Sequence, residues 1–214
     1  MTIINESKRL NVTGVILAGG KSSRMGMNKA LLPIHGNETI QRLRNELLIL
    51  TDRLIIVTNE TESYKFLKQP LIHDNYENKG PLAGIQAGLA ASNTEWNFIT
   101  ACDMPFLTYQ VVEVLLTRAG KLPYKQVIVP QIGKKKQPLS ALYHTSSLPF
   151  ITDCLMKNKL KVSEVLTGLD YEIITEQDFL KAGLNAGTVE RNFFNMNSRE
   201  DYERVKRYVN KNYR

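Results

Sequence analysis

The stretch Leu17 to Leu32 reads LAGGKSSRMGMNKALL and stands directly behind the apolar run VIL. Glycines let backbone N–H groups approach phosphate oxygens closely, and a helix start behind them adds positive potential. Lys21, Arg24 and Lys29 bring cations to the same loop, Arg24 as a bidentate fork and Lys29 as a point charge. Such a set suits a polyphosphate. A second candidate is Asp103 in FITACDMPFL, residues 98–107, where an apolar run ends in a carboxylate and is stopped by Pro105. Mg2+ is usually held by one or two carboxylates plus substrate phosphates, so Asp103 facing a polyphosphate loop predicts a magnesium site. An aspartate that merely caps a turn is the alternative. The third candidate is HDNYENKGPLAG, residues 73–84, with Asp74 and then Gly80 and Gly84 on either side of Pro81. That spacing lets a flat base or ribose come close, with ordinary loop residues after a strand as the alternative.

Two better-known phosphate loops do not fit. A Walker A loop ending at Gly20-Lys21-Ser22 would place its first glycine at position 15, which is Val15. The dinucleotide pattern G-x-G-x-x-G is absent, which argues against a nicotinamide or flavin enzyme. Cys102, beside Asp103, reads as a small buried apolar residue rather than a nucleophile. His35, His73 and His144 are scattered without ligand spacing, so a transition-metal site is not expected.

The elements that must carry these residues alternate along the chain. Short β-branched runs occur at GVILA (14–18), RLIIVT (53–58), PLIHD (70–74), WNFITA (96–101) and QVIVP (126–130). Between them come helical spacings: Ile40, Leu43, Leu47 and Leu50; Leu82, Ile85 and Leu89; and TYQVVEVLLTRAG, with Gly120 at its expected end. Nearly continuous apolar strands separated by helices demand a parallel sheet covered on both faces, hence one three-layer α/β domain with a mostly parallel sheet. Ligands in such sheets bind beyond the carboxyl ends of the strands, which is where all three candidate segments fall. Past Pro130 the reading is an exposed GKKKQ turn, a strand at LSALYH, two helices after Ser146 and a strand at YEIIT. NFFNMN then leads into a final helix capped by Ser198, with Glu200 and Asp201 in its first turn.

The bulk composition narrows the function classes. With 43% hydrophobic and 23% charged residues over 214 positions, neither disorder nor a fibrous repeat applies. Twenty-eight Lys and Arg against 21 acidic residues give a net charge of +7, which favours anionic partners. Only Cys102 and Cys154 are present and the start MTIINESKRLN is too polar for a signal peptide, so a reducing, cytoplasmic setting is expected. No apolar run approaches the roughly 18 residues of a membrane span. A non-catalytic nucleotide- or nucleic-acid-binding module is the rival from another class, motivated by the charge, GKKK and the basic tail. The stacking aromatics of a single-strand binder are not evident among those cations, so no nucleic-acid partner is expected.

Together, LAGGKSSRMGMNKALL, DNYENKGPLAG, ACDMPF, QPLSALYH and NFFNMNSREDYERV resemble the nucleotidyltransferases that activate sugars and cofactors, most closely the molybdenum cofactor guanylyltransferases. The resemblance runs over nearly the whole chain. It implies a Rossmann-like sheet of the nucleotide-diphospho-sugar transferase type, with a nucleotide half over about residues 12–130 and a cofactor-substrate half over about 131–214. It implies transfer of GMP from GTP to molybdopterin with release of pyrophosphate. Leu17, Ala18, Gly19, Gly20, Arg24, Gly26, Lys29, Asp74, Gly80 and Gly84 are then the nucleotide side, and Asp103 holds Mg2+. Asn195 and Asn197 lie toward the pterin, and proteins of the molybdenum cofactor pathway are the implied partners. Asn59, just past the second strand, is a further candidate for nucleotide contact. Gln137 stands where some members carry His, and Ser198-Arg199 where Thr-Pro is usual. A cytidylyltransferase acting on the same pterin is the nearest rival, and those enzymes tend to read LAAG where this chain has LAGG.

Overall fold

Strand β1 (Val12–Leu17) is buried along its whole length, because it lies at the middle of the sheet and side chains alternate between two covered faces. Val12 and Ile16 enter the core on one face, Val15 and Leu17 the core on the other. The structure, a computed structural model, describes residues 10–19 and 28–212. After a 3-10 turn at Lys29–Leu31 come a small hairpin, β2 (Pro33–Ile34) with β3 (Asn37–Glu38), and helix α1 (Thr39–Leu47). Next are β4 (Arg53–Val57), a 3-10 segment at Thr61–Leu67, β5 (Leu71–Ile72) and α2 (Pro81–Ala91). Then follow β6 (Trp96–Ala101), α3 (Tyr109–Lys121), β7 (Val127–Ile132), β8 (Lys135–Lys136) and β9 (Ser140–His144). The chain closes with α4 (Leu148–Met156), α5 (Val162–Val165), β10 (Tyr171–Thr175), α6 (Glu176–Lys181), α7 (Ala186–Asn192) and α8 (Arg199–Asn212).

The main sheet has the order β10-β7-β9-β6-β1-β4-β5, with β8 added beside β7. β1, β4, β5 and β6 run parallel, β9 is antiparallel to both β6 and β7, and β10 is parallel to β7. Leu17 is level with both Val57 and Ala101, and Val57 with Ile72. The carboxyl ends of four strands therefore make one rim. One face of the sheet is covered by α1, α3, α6 and α7 through Leu43, Val111, Phe179 and Val189, the other by α2, α4 and α5 through Ile85, Ile151 and Val165. The three-layer α/β expectation is met.

Helix α2 sits unusually close to β1. A Cβ on Gly88 would lie 2.5 Å from Val15 Cγ1, and one on Gly84 would lie 3.1 Å from Leu17 Cδ2. The glycines are there because the strand's branched side chains occupy the space. At the other end, α8 packs Val205 and Val209 onto Leu32, Ile34 and Met196, a small third core that ties the C-terminus to the hairpin.

Several local details differ from the sequence reading. Gly120 is inside the last turn of α3, which runs on through Lys121. GKKKQ is not only a turn, since Lys135 and Lys136 pair with Ile132 and Gln131. α6 and α7 went unread because each spans barely two turns, too short for a periodic signal. Ser198 does cap α8: its Oγ accepts from Asp201 N (3.1 Å), while the Asp201 carboxylate accepts from Ser198 N and Asn197 N, both at 2.9 Å. Among the described residues no helix is long and apolar enough to cross a membrane.

Candidate functional site

Asp103 is the centre of the rim. It lies just past β6, in a turn whose start is held by Cys102 N donating to Leu17 O (3.2 Å) and whose own carbonyl accepts from Met196 N (2.8 Å). Those two bonds set Asp103 between the end of β1 and the 193–197 segment, though the residues are far apart in the chain. The side chain is half-buried, and its Oδ1, shielded from solvent, has no hydrogen-bond partner among the described residues. A buried oxygen left without a partner is costly unless a ligand completes it. Burial raises the Asp103 pKa, while the ammonium of Lys29 and, less strongly, that of Lys135 pull it back down. Cys102 beside it is pushed up to about 12 by burial and by the Asp103 charge, so it stays a thiol and is no nucleophile.

Lys29 reaches this centre from the far end of the glycine loop. Its Nζ donates to Asn197 Oδ1 at 3.1 Å, and Asn197 is held in turn by the α8 cap. Asn195 lies on the same segment, donating from Nδ2 to Phe193 O (3.3 Å). The loop's other end is Ala18, whose N donates to Val57 O (2.9 Å). Gly19 is exposed, and a Cβ placed there would meet nothing within 4 Å among the described residues, so no packing contact calls for glycine. Gly20, Lys21, Arg24 and Gly26 lie outside the described residues.

Tyr64, in the 3-10 segment after β4, joins the two ends. Its Oη accepts from Asn28 Nδ2 (2.9 Å) and donates toward Ala18 O (3.3 Å), and the ring is wholly buried. Burial pushes the phenol up to about 12, against the opposing effect of Asn28, so it remains a neutral donor. No sequence pattern marks Tyr64, and none ties Asn28, which stands inside the glycine-rich motif, to a residue 36 positions on. Asn28 followed by Lys29 could be read as a cap, since its Oδ1 accepts from Ala30 N (3.1 Å), but nothing local links it to Tyr64.

The third segment sits at the adjoining strand ends. Asn59 and Asp74 pair reciprocally, Asn59 Nδ2 to Asp74 Oδ2 and Asp74 N to Asn59 Oδ1, both at 3.3 Å. Asp74 Oδ1 is buried and has no partner among the described residues. Gly80 starts α2 at φ +67°, a conformation that side-chain-bearing residues rarely adopt. Gly84 and Leu17, by contrast, meet each other: Gly84 is a buried helix-to-strand contact and the Leu17 side chain fills it. Only the Leu17 carbonyl, bonded to Cys102 N, belongs to the rim.

Residues 14–171 match the family described as the MobA-like NTP transferase domain. The chain belongs to this family. It is 35% identical over 195 residues to a protein of Carboxydothermus hydrogenoformans named probable molybdenum cofactor guanylyltransferase, covering 91% of this chain and 95% of that one. It is 33% identical over 195 residues to a molybdenum cofactor guanylyltransferase of Desulfosudis oleivorans, covering 91% and 94%. The fold is shared with molybdopterin-guanine dinucleotide biosynthesis protein A of Archaeoglobus fulgidus (TM-score 0.79, 22% identity, 93% of this chain and 99% of that chain). It is also shared, at TM-score 0.73 and 13% identity, with CMP:2-keto-3-deoxy-manno-octonic acid synthetase, over 94% of this chain and 99% of that one. The same sheet thus occurs in proteins whose names give different products, so the fold by itself does not select a substrate.

Proposed function

We propose that this protein transfers GMP from GTP to molybdopterin, releasing pyrophosphate and giving the guanine dinucleotide form of the cofactor. The observation that carries the reading is the buried carboxylate oxygen of Asp103, which has no hydrogen-bond partner among the described residues and lies within electrostatic reach of Lys29, in a chain of this family. The names of the relatives support GTP and molybdopterin as the substrates, and a cytoplasmic setting is part of the same proposal.

The reaction asks little covalent chemistry of the protein. An oxygen of the molybdopterin phosphate forms a bond to the α-phosphorus of GTP, the bond from that phosphorus to the β-bridging oxygen breaks, and the electron pair leaves with pyrophosphate. Alignment of two anions and relief of their repulsion are what the site must supply. Lys29 bears on the triphosphate, and the sequence assigns Arg24 and the glycine-rich loop from Gly20 to Gly26, which lie outside the described residues, to the same task. Asp74 with Asn59, and Gly80 beside them, take the nucleoside side, and Asn195 and Asn197 the pterin side. Asp103 Oδ1 suits a hard cation, and no three His, Cys, Asp or Glu side chains gather among the described residues, so substrate oxygens and water would complete a Mg2+ shell. When bound there, Mg2+ supplies Lewis-acid neutralisation of the phosphate charge.

The test is pyrophosphate release from GTP, CTP, ATP and UTP with molybdopterin, with and without Mg2+. GTP is the expected substrate and Mg2+ the expected requirement. Preference for CTP overturns the base assignment, and release without a divalent ion overturns the metal. Tyr64 offers a second check, because Tyr64→Phe keeps the buried ring and deletes only Oη. GTP affinity measured by calorimetry is expected to fall about tenfold, the worth of one to two hydrogen bonds. Unchanged affinity would leave Tyr64 a core tyrosine and nothing more.

A further inference from the structure

Strand β7 has β10 along one edge, from Val127 to Gln131. Along the other edge it pairs with β9 only at Val127 and Ile128, and β8 then takes the place of β9 at Gln131 and Ile132. The link from β8 back to β9 is fastened by Gln137 N to Pro130 O (2.8 Å) and by Ala101 N to Leu139 O (3.1 Å), the latter at the last residue of β6. Lys135 and Lys136 thus stand at the carboxyl rim, between β7 and the turn that carries Asp103.

Strand parity separates the two lysines. Residues paired across an antiparallel ladder share a face, so Lys135 lies on the face of its partner Ile132, which packs into the core under α1 and α3. Met104 and Leu107, directly after Asp103, are buried in that same core. Lys136 lies on the opposite face, where its Nζ meets Tyr171 Oη at 2.9 Å and stands 4.6 Å from the ring centroid. The hairpin is further anchored by Gly133 N to Glu176 Oε1 (3.3 Å). Lys135 is exposed and forms no ion pair among the described residues, yet its charge is felt at Asp103.

In the sheet order, β6 separates β7 and β8 from β1, whose loop ends in Lys29. The strands that lead to the two cations therefore flank the β6 turn along the sheet. An in-line displacement has an incoming oxygen and a leaving pyrophosphate to hold on opposite sides of the phosphorus, so two separate cations have two separate tasks. We propose that Lys135 binds the phosphate monoester of the acceptor at the Asp103 rim, and so helps select which anion is guanylylated. This rests on the guanylyl-transfer reading above.

The experiment is steady-state kinetics of wild type, Lys135→Ala, Lys135→Arg and Lys134→Ala, varying molybdopterin at saturating GTP and the reverse. All four forms are assayed at one pH. Lys135→Ala is expected to raise the KM for molybdopterin about tenfold, the worth of one charge-assisted contact, with KM for GTP and the melting temperature unchanged. Lys135→Arg restores most of the loss, and Lys134→Ala matches wild type. An active wild type with unaltered KM for molybdopterin in Lys135→Ala overturns this inference alone, and a rise in KM for GTP instead reassigns Lys135 to the nucleotide. A wild type that turns over no molybdopterin overturns the parent reading, and this one with it.

Discussion

Asp103→Asn is expected to lower turnover by about 10²- to 10³-fold, the usual effect of deleting one preorganised electrostatic contact to a developing transition state. The same substitution is expected to leave the melting temperature unchanged or higher. The physical reason is that burial raises the Asp103 pKa in the folded chain, so the fold at neutral pH carries a carboxylate it would hold more easily protonated. A carboxyl group with a raised folded pKa binds protons more tightly folded than unfolded; stability from this group grows as pH falls and is lost as pH rises through the raised value. Asparagine removes that burden and keeps the shape. Thermal unfolding of both forms near neutral pH, together with pyrophosphate release, reads the two effects at once. Lower stability with activity retained would show Asp103 to be a structural turn residue, and the functional reading would go with it.

Lys29→Met is expected to cost about 10²-fold in kcat/KM for GTP, again on the scale of one lost charged contact. It carries a distinctive second signature. Lys29 is the strongest of the charges that pull the Asp103 pKa down, so its removal lets that value climb. The acid limb of the pH profile, and of Mn2+ binding followed by paramagnetic resonance, should move to higher pH in Lys29→Met. Lys29→Arg retains the charge and should keep the acid limb in place even if the transfer slows, since a planar guanidinium does not reproduce the point contact to Asn197 Oδ1. An acid limb that stays fixed in Lys29→Met would mean that the two groups do not act on one another.

Legibility in the sequence followed the range of the interaction involved. β1, β4, β6 and β9 were readable because a strand buried on both faces must be apolar almost without interruption, a demand visible within six residues. β5 was over-read: PLIHD suggests a longer strand, but only Leu71 and Ile72 pair at this sheet edge. In the sequence, Gly80 and Gly84 read as room for a ligand. Gly84 instead answers to Leu17, as Gly88 one turn on answers to Val15, because a missing Cβ records a close approach without saying what approaches.

Residue types alone determined that this chain makes a three-layer α/β sheet, that a glycine-rich cationic loop and Asp103 both follow strands, and that the order of motifs is that of one nucleotidyltransferase family. The first two are local matters of periodicity, chain stiffness and charge, and the third is a resemblance between motifs. Which strands lie side by side was decided only by tertiary structure, and with it the partners of the site. The β6 turn bonds to Met196, Lys29 meets Asn197, Tyr64 bridges Ala18 and Asn28, and a two-residue strand carries Lys135 to the same rim. Each of these joins residues whose separation along the chain carries no trace of their contact, since hydrogen bonds and buried charge depend on distance in space and leave no period in a sequence.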